Sequence, residues 1–135
     1  MRVYLSVPIV VNRNARRARL MARAILDAGH EVSSPWVLEP SRGAPTTAQN
    51  VFARDKHGVE TSDAIVADVS SPSTGVGMEV MAAYTLGKRI IVVLARGSVV
   101  SRMLAQMEPK DTIEFDSEEE LYNGLRVALE TAQHS

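Results

Sequence analysis

Residues 64–79 read Ala-Ile-Val-Ala-Asp-Val-Ser-Ser-Pro-Ser-Thr-Gly-Val-Gly-Met-Glu, and this stretch decides the fold. Its first six residues are almost continuously apolar, which is typical of a strand buried on both faces. A loop rich in hydroxyl groups and glycine follows, and a helix is predicted to begin near Val76. A strand, a polar loop and a helix in this order indicate an open parallel sheet, which binds ligands at the carboxyl ends of its strands.

The same alternation of strands and helices extends over the rest of the chain. Further strands are predicted at 3–7, 31–37, 89–94 and 112–115. Helices are predicted at about 14–28, 47–61, 76–87, 99–107 and 117–131, with a loop at 39–46. We therefore expect a single α/β domain over residues 1–135, built as a flavodoxin-like or Rossmann-like three-layer sandwich. Its five-stranded sheet should be mostly parallel.

Composition excludes several classes of function. The 135-residue chain has a formal net charge of -1, whereas a nucleic-acid scaffold normally carries a basic excess. It has no cysteine, which excludes disulfides and thiol chemistry, and its three histidines lack metal-ligand spacing. No apolar run approaches the length of a membrane-spanning helix, and the basic cluster at 13–23 follows the first strand rather than forming part of a signal peptide. We expect a cytoplasmic protein.

The loop at 70–77 has the composition of an anion site. It offers four hydroxyl groups, two glycines and a helix N-terminus, where backbone N–H groups and the helix dipole favour a phosphate. It is neither a Walker loop nor a Gly-x-Gly-x-x-Gly fingerprint. An ordinary polar turn with a helix cap is the alternative interpretation.

Glu79 is the residue that supports a catalytic role for this loop. The helical segment 76–83 is otherwise uncharged and mostly apolar, so the carboxylate has little solvated surface to occupy. Val76, three residues earlier, cannot form a capping box with it. The alternative is a first-turn glutamate that complements the helix dipole.

A second carboxylate is needed for acid–base or nucleophilic chemistry, and Asp55 is the best candidate. Asp63 and Asp68 compete with it, and a solvated helix charge is the alternative for Asp55 itself. Sugar chemistry through an oxocarbenium-like transition state uses two carboxyl groups, about 5 Å apart in the double-displacement route.

Three further residues lie at positions where they could serve such a site. Tyr4 falls in the first strand, where a buried phenol either belongs to the core or orients a carboxylate. Arg13, at the turn after that strand, could reach a phosphate, whereas the arginines that follow it are predicted to form a solvated helix face. Trp36 could line a base pocket or pack in the core.

These residues, with their spacing, resemble the nucleoside 2-deoxyribosyltransferase superfamily. The resemblance runs from Val3-Tyr4-Leu5 through Asp55 and the 67–79 motif to Val100-Ser101-Arg102-Met103-Leu104. Its most specific part is Pro-Ser-x-Gly-Val-Gly-x-Glu between a strand and a helix. Within the superfamily, the chain is most similar to the 2'-deoxynucleoside 5'-monophosphate N-glycosidases.

The resemblance implies a role for each matching residue. Glu79 matches a nucleophile that forms a glycosyl-enzyme intermediate. Asp55 matches the carboxylate that assists departure of the base and then activates water, and Tyr4 matches the phenol that positions the nucleophile. Ser73 matches a phosphate-binding hydroxyl, and Ser101 matches a serine donated across a homodimer interface to the same phosphate.

The activity implied is hydrolysis of the N-glycosidic bond of a (2'-deoxy)nucleoside 5'-monophosphate, without metal or organic cofactor. The implied substrate-binding residues are Ser73, Gly75, Gly77, Ser101 and Arg13. The segment at 6–12 departs from the glycine-rich turn usual in these hydrolases, and its nearest arginine is Arg13. Deoxyribosyl transfer between bases and a non-catalytic nucleotide sensor are the alternatives. We expect a homodimer that acts on a small nucleotide and binds neither nucleic-acid polymers nor membranes.

Overall fold

Five strands form one parallel sheet in the computed structural model, which describes residues 1–38 and 48–132. They are β1 (Arg2–Ser6), β2 (Glu31–Val32), β3 (Ala64–Asp68), β4 (Arg89–Ala95) and β5 (Asp111–Phe115). They lie in the order β2-β1-β3-β4-β5, and each neighbouring pair is parallel. This order is that of the flavodoxin-like sandwich, so the predicted fold class is confirmed.

Helices cover both faces of the sheet. They are α1 (Ala15–Asp27), α2 (Ala48–Glu60), α3 (Thr74–Thr85), α4 (Arg102–Gln106) and α5 (Glu118–Ala132). The apolar side chains of α1 and α5 share one buried cluster with Val3 and Leu5. Those of α2 and α3 share a second cluster with Ile65 and Val92 on the opposite face. Nowhere in residues 1–38 or 48–132 is a helix long and apolar enough to cross a bilayer.

Strand β1 sends alternate residues to opposite faces, as the period of a strand requires. Val3 and Leu5 enter the cluster beside α1 and α5. Tyr4 enters the cluster beside α2 and α3, and the buried Ser6 follows it on that side. One strand therefore presents two hydroxyl groups, one step apart, to the helices α2 and α3.

The second strand is shorter than predicted. It ends at Val32 instead of continuing to residue 37, and Pro35–Val37 form a short 3-10 helix. The Ser34 hydroxyl accepts a hydrogen bond from the Leu5 N–H at 2.8 Å and donates one to the Leu5 carbonyl at 2.9 Å. The Ser34 side chain thus occupies the N–H and C=O of Leu5, with which the backbone of a longer β2 would pair. Pro35 has no N–H with which to resume the ladder.

Other predicted boundaries differ at helix ends. Helix α3 begins at Thr74 rather than Val76, because the Ser73 side chain caps it by accepting the Val76 N–H at 3.3 Å. Helix α4 begins at Arg102 rather than at residue 99, with Ser101 in an extended conformation before it. The predicted loop at 39–46 lies outside the described residues.

Leu125→Ala is expected to lower the free energy of unfolding by about 2–5 kcal/mol, because Leu125 is fully buried between α5 and the sheet. Val127→Ala on the same helix is the control. Its side chain is 65% exposed, and we expect a change within about 0.5 kcal/mol. Denaturant unfolding measures both, and equal losses would contradict the assignment of this face to the core.

Candidate active site

The chain order of the sheet reverses between β1 and β3, the point at which open α/β folds place a ligand-binding crevice. From β1 the chain runs to β2 on one side, and later returns to form β3 on the other. The connections that leave the carboxyl ends of β1 and β3 therefore diverge, which is where open α/β sheets bind ligands. Ser6 ends β1 at this point, and the segment at 69–73 leads from β3 into α3.

Glu79 reaches from α3 to β1 in this crevice, where two hydroxyl groups hold its carboxylate. The Tyr4 hydroxyl donates to Glu79 Oε2, and Ser6 Oγ donates to Glu79 Oε1 at 2.7 Å. No acidic residue lies in the first turn of α3, since Glu79 follows one turn later. The alternative of a glutamate that complements the helix dipole is therefore wrong, because that effect fades beyond the first turn.

Burial and hydrogen bonding act in opposite directions on Glu79. Burial raises the pKa of the Glu79 carboxyl above its usual value and outweighs the hydrogen bonds from Tyr4 and Ser6, which lower it. Burial also raises the pKa of the Tyr4 phenol, and the negative charge of Glu79 adds to that rise. Tyr4 therefore keeps its proton and acts as a hydrogen-bond donor.

Asp55 lies on α2 within electrostatic range of Glu79, because its negative charge contributes to raising the pKa of that carboxyl. Arg54 Nε donates to Asp55 Oδ1 at 2.9 Å, and the Arg54 guanidinium carbon lies 4.7 Å from the centroid of the Trp36 ring. The Asp55 side chain is 27% exposed, so solvent can reach it. The structure thus brings the predicted residues Tyr4, Asp55 and Glu79 together.

Ser6 and Arg54 are the site residues that sequence reasoning missed. The alternation of β1 was the available signal for Ser6, because it places that residue on the same face as Tyr4. Arg54 precedes Asp55 directly in the sequence, but its stacking on Trp36 depends on the folded structure. Trp36 itself packs edge-on to Tyr4, with ring centroids 6.2 Å apart.

The two competing aspartates have structural contacts. Asp68 is buried, and its carboxylate accepts hydrogen bonds from Arg17 Nη1 at 3.1 Å and from the Ser70 N–H at 3.0 Å. Asp63 accepts the Arg2 N–H at 2.8 Å. Arg17 was predicted to be solvated, and that was wrong, because it pairs with Asp68 and lies over the Phe115 ring. Within residues 1–38 and 48–132, no cluster of metal-ligating side chains is present.

The start of α3 is accessible and unusually rich in glycine. A Cβ added at Gly75 or Gly77 would meet no atom within 4 Å, so packing among the described residues does not require either glycine. The N–H groups of Thr74 and Gly75 lie in the first turn, where an α-helix supplies no acceptor. Ser70 has a different task, since its Oγ accepts the Ala95 N–H at 2.9 Å and ties β3 to β4.

The remaining two predicted binding residues are exposed. Arg13 lies in the segment between β1 and α1. Arg54 contributes a positive charge that lowers the pKa of the Glu79 carboxyl. Ser101 precedes α4 and lines a cavity of about 580 Å³ together with Ser73. The other lining residues are mostly apolar and come from α3, α4 and the loops next to them, and Glu79 is not one of them.

Glu79→Gln is expected to raise the melting temperature at about pH 8 and to have little effect near pH 4.5, the usual pKa of a glutamate. Between that value and its raised folded pKa, the native state binds more protons than the unfolded chain. Stability therefore falls as pH rises through this interval, and a neutral amide avoids the loss. Thermal unfolding against pH measures it.

The matched control is Glu119→Gln in the exposed first turn of α5. There a negative charge complements the helix dipole, so removing it should leave stability unchanged or lower it. A gain at Glu79 that does not vary with pH would contradict the desolvation argument.

Two curated proteins are similar in sequence to this chain. The chain is 34% identical over 101 residues to a Thermofilum pendens protein provisionally named 2'-deoxynucleoside 5'-phosphate N-hydrolase 1, covering 71% of this chain and 69% of that one. It is 37% identical over 85 residues to 5-hydroxymethyl-dUMP N-hydrolase of Danio rerio, covering 60% and 59% respectively.

Among solved structures, CMP N-glycosidase of Clostridium botulinum matches with a TM-score of 0.70 at 21% identity, covering 93% of this chain and 98% of that one. At this identity the likeness shows the fold alone. The family profile described as nucleoside 2-deoxyribosyltransferase matches residues 3–127. The resemblance predicted from the sequence is thereby confirmed, and the chain belongs to the nucleoside 2-deoxyribosyltransferase family.

Proposed function

We propose that this protein hydrolyses the N-glycosidic bond of (2'-deoxy)nucleoside 5'-monophosphates, releasing a free base and a sugar 5-phosphate. The observation that carries the proposal is the Glu79 carboxylate, held through both oxygens by Tyr4 and Ser6. A partly buried carboxylate with fixed hydrogen bonds and a second carboxyl in electrostatic range suits a glycosidic substrate. The names of the relatives support the same activity.

In the first step, a Glu79 oxygen attacks the anomeric carbon of the sugar. A bond forms between that oxygen and the carbon, and the electron pair of the breaking C–N bond leaves with the base. Asp55 acts as the general acid and donates a proton to the departing base. The Tyr4 and Ser6 hydroxyls fix the carboxylate so that its attack needs little reorganisation.

The second step reverses the proton transfer. Asp55, now a carboxylate, accepts a proton from water, and the water oxygen attacks the anomeric carbon. The bond to Glu79 breaks, and the carboxylate returns to its two hydroxyl donors. The exposure of Asp55 allows water and protons to reach it. Formation of the glycosyl-enzyme intermediate on Glu79, followed by its hydrolysis, constitutes a retaining double displacement.

The 5'-phosphate is proposed to bind at the start of α3. The Ser73 hydroxyl and the first-turn N–H groups beside Gly75 favour an anion, and the open space at Gly75 and Gly77 allows close approach. Arg13 is the proposed cationic contact from the other side of the crevice. Since Ser73 and Glu79 belong to one loop and helix, binding of the phosphate would position the sugar for attack.

Hydrolysis is preferred to deoxyribosyl transfer, because the relatives found by sequence comparison carry N-hydrolase names. A non-catalytic nucleotide sensor would need the phosphate site but not the Tyr4–Glu79–Asp55 cluster. The two experiments below separate these alternatives.

A homodimer is the proposed working form. Val99 and Met103 are largely exposed, and Met81 on α3 is half-exposed beside them. Ser101 lies among these apolar side chains, which line the cavity between α3 and α4. A second copy that covers this surface could present its own Ser101 to the phosphate at Ser73.

Glu79→Ala is expected to abolish base release from nucleoside 5'-monophosphates, because the attacking oxygen is lost. The measurement is chromatography of free base from a panel of the common ribo- and deoxyribonucleotides. Asp55→Asn should slow both steps and allow the sugar phosphate adduct on Glu79 to be detected by mass spectrometry. Glu119→Gln is the matched control, with wild-type turnover expected.

The results discriminate among the alternatives. Full turnover by Glu79→Ala would overturn the mechanism. Base exchange only in the presence of an acceptor base would indicate a transferase. Nucleotide-dependent thermal stabilisation of the wild type without base release would indicate a sensor.

Glu79→Ala is expected to be inactive alone and Ser101→Ala to be weakened, and mixing the two variants is expected to give more activity than the sum of the two measured separately. In a mixed dimer, the site containing Glu79 would receive the intact Ser101 of its partner. The measurement is base release after subunit exchange, with each variant alone as the control. Absence of this gain in mixtures shown to contain mixed dimers would contradict a shared site.

A further inference from the structure

Gly58 is a glycine in the interior of α2 that packs directly against Tyr4. A Cβ built there would lie 2.7 Å from Tyr4 Cε2, 3.1 Å from Tyr4 Cδ2 and 3.1 Å from Trp36 Cη2. Gly58 itself is buried, and Tyr4 is only 1% exposed. The ring of Tyr4 is therefore enclosed between the backbone of α2 and the edge of the indole.

The backbone conformation does not account for this glycine. It lies within a regular helix, where glycine is less favourable than alanine because it has more conformational freedom to lose on folding. Because Gly58 has no side chain, the backbone of α2 can lie directly against the Tyr4 ring. Asp55 precedes Gly58 by three residues, so both lie on the same face of α2.

We propose that Gly58 is a positioning residue for the nucleophile, acting through Tyr4. The close approach of α2 fixes the phenol ring, and the ring directs its hydroxyl to Glu79 Oε2. This inference rests on the proposed function, in which Glu79 attacks the sugar. Gly58 itself touches neither Glu79 nor the substrate in this scheme.

A side chain at residue 58 would have to displace the ring. Real Cβ atoms essentially never lie closer than 3.0 Å to another heavy atom, so a Cβ at 2.7 Å requires a shift of at least 0.3 Å (3.0 minus 2.7), and a shift of 0.7 Å (3.4 minus 2.7) restores an ordinary contact. The atom it meets belongs to a rigid ring in a close-packed interior, not to the free end of a flexible chain. A misplacement of about 1 Å at a reacting group can reduce the rate by about 100-fold.

The test compares Gly58→Ala with Gly124→Ala. Gly124 is the matched control, because its added Cβ would lie 2.8 Å from Ile113 Cγ2 on the opposite face of the sheet. Both variants should lose stability, because each added Cβ must displace a packed side chain, and Gly124→Ala should lose less because Ile113 is only partly buried. Only Gly58→Ala is expected to lower kcat, by roughly 10- to 100-fold, with KM changed less than about 3-fold.

Two further measurements distinguish positioning from general destabilisation. If Gly58 acts through the Tyr4 hydroxyl, adding Gly58→Ala to Tyr4→Phe should cost less than about a further 3-fold in kcat, so the two effects are not additive. The hydrogen bond from Tyr4 lowers the pKa of Glu79, so displacing it should move the acid limb of the kcat/KM profile to higher pH.

The shift in the pKa of Glu79 can also be measured without following catalysis. In protein labelled with carbon-13 at glutamate carboxyls, Glu79 should titrate at higher pH in Gly58→Ala than in the wild type or in Gly124→Ala. If Gly58→Ala does not fold, Gly58→Ala/Trp36→Leu gives the displaced ring space, and the same shift is expected. An unchanged Glu79 titration, equal kcat losses in the two glycine variants, or additive losses with Tyr4→Phe would each overturn the inference. Failure of the wild type to release base would overturn the proposed function alone.

Discussion

The site depends on the two hydrogen bonds that hydroxyl groups of β1 donate to the Glu79 carboxylate. A carboxylate removed from water is costly unless hydrogen bonds replace its hydration, and Tyr4 and Ser6 supply one bond to each oxygen. Both donors come from one strand with the period of two residues that a strand imposes. The acceptor, Glu79, comes from α3 on the same face of the sheet. The site therefore forms only when α3 packs correctly against β1.

Ser73 links the two halves of the candidate site. Its side chain fixes where α3 begins, and the helix then carries Glu79 to β1 one turn after the accessible N-terminus. The proposed phosphate position and the nucleophile thus belong to one rigid element. Around them, Asp68 stabilises the loop by accepting hydrogen bonds from Arg17 and the Ser70 N–H, so this aspartate serves the scaffold.

Much of the fold and part of the site could be predicted from the sequence. Continuous apolar strands separated by helices indicated the parallel sandwich, and Glu79 stood out because its helix offers a charge little solvated surface. Of the residues that were missed, Ser6 acts through its hydrogen bond to Glu79, whereas Arg54 and Gly58 act through packing. Arg54 stacks on Trp36, and the absence of a Cβ at Gly58 lets α2 lie against Tyr4. Both contacts exist only in the folded protein, so the sequence carries no pattern that predicts them.

The short β2 has a consequence for how the protein behaves among other copies of itself. A strand at the edge of a sheet exposes unpaired N–H and C=O groups that can recruit a strand from another chain. Here the described edge strand spans only Glu31–Val32, and the Ser34 side chain already satisfies the Leu5 backbone that a longer strand would pair with. Proline follows at once. The same hydroxyl that ends the ladder therefore protects this edge of the sheet against aggregation.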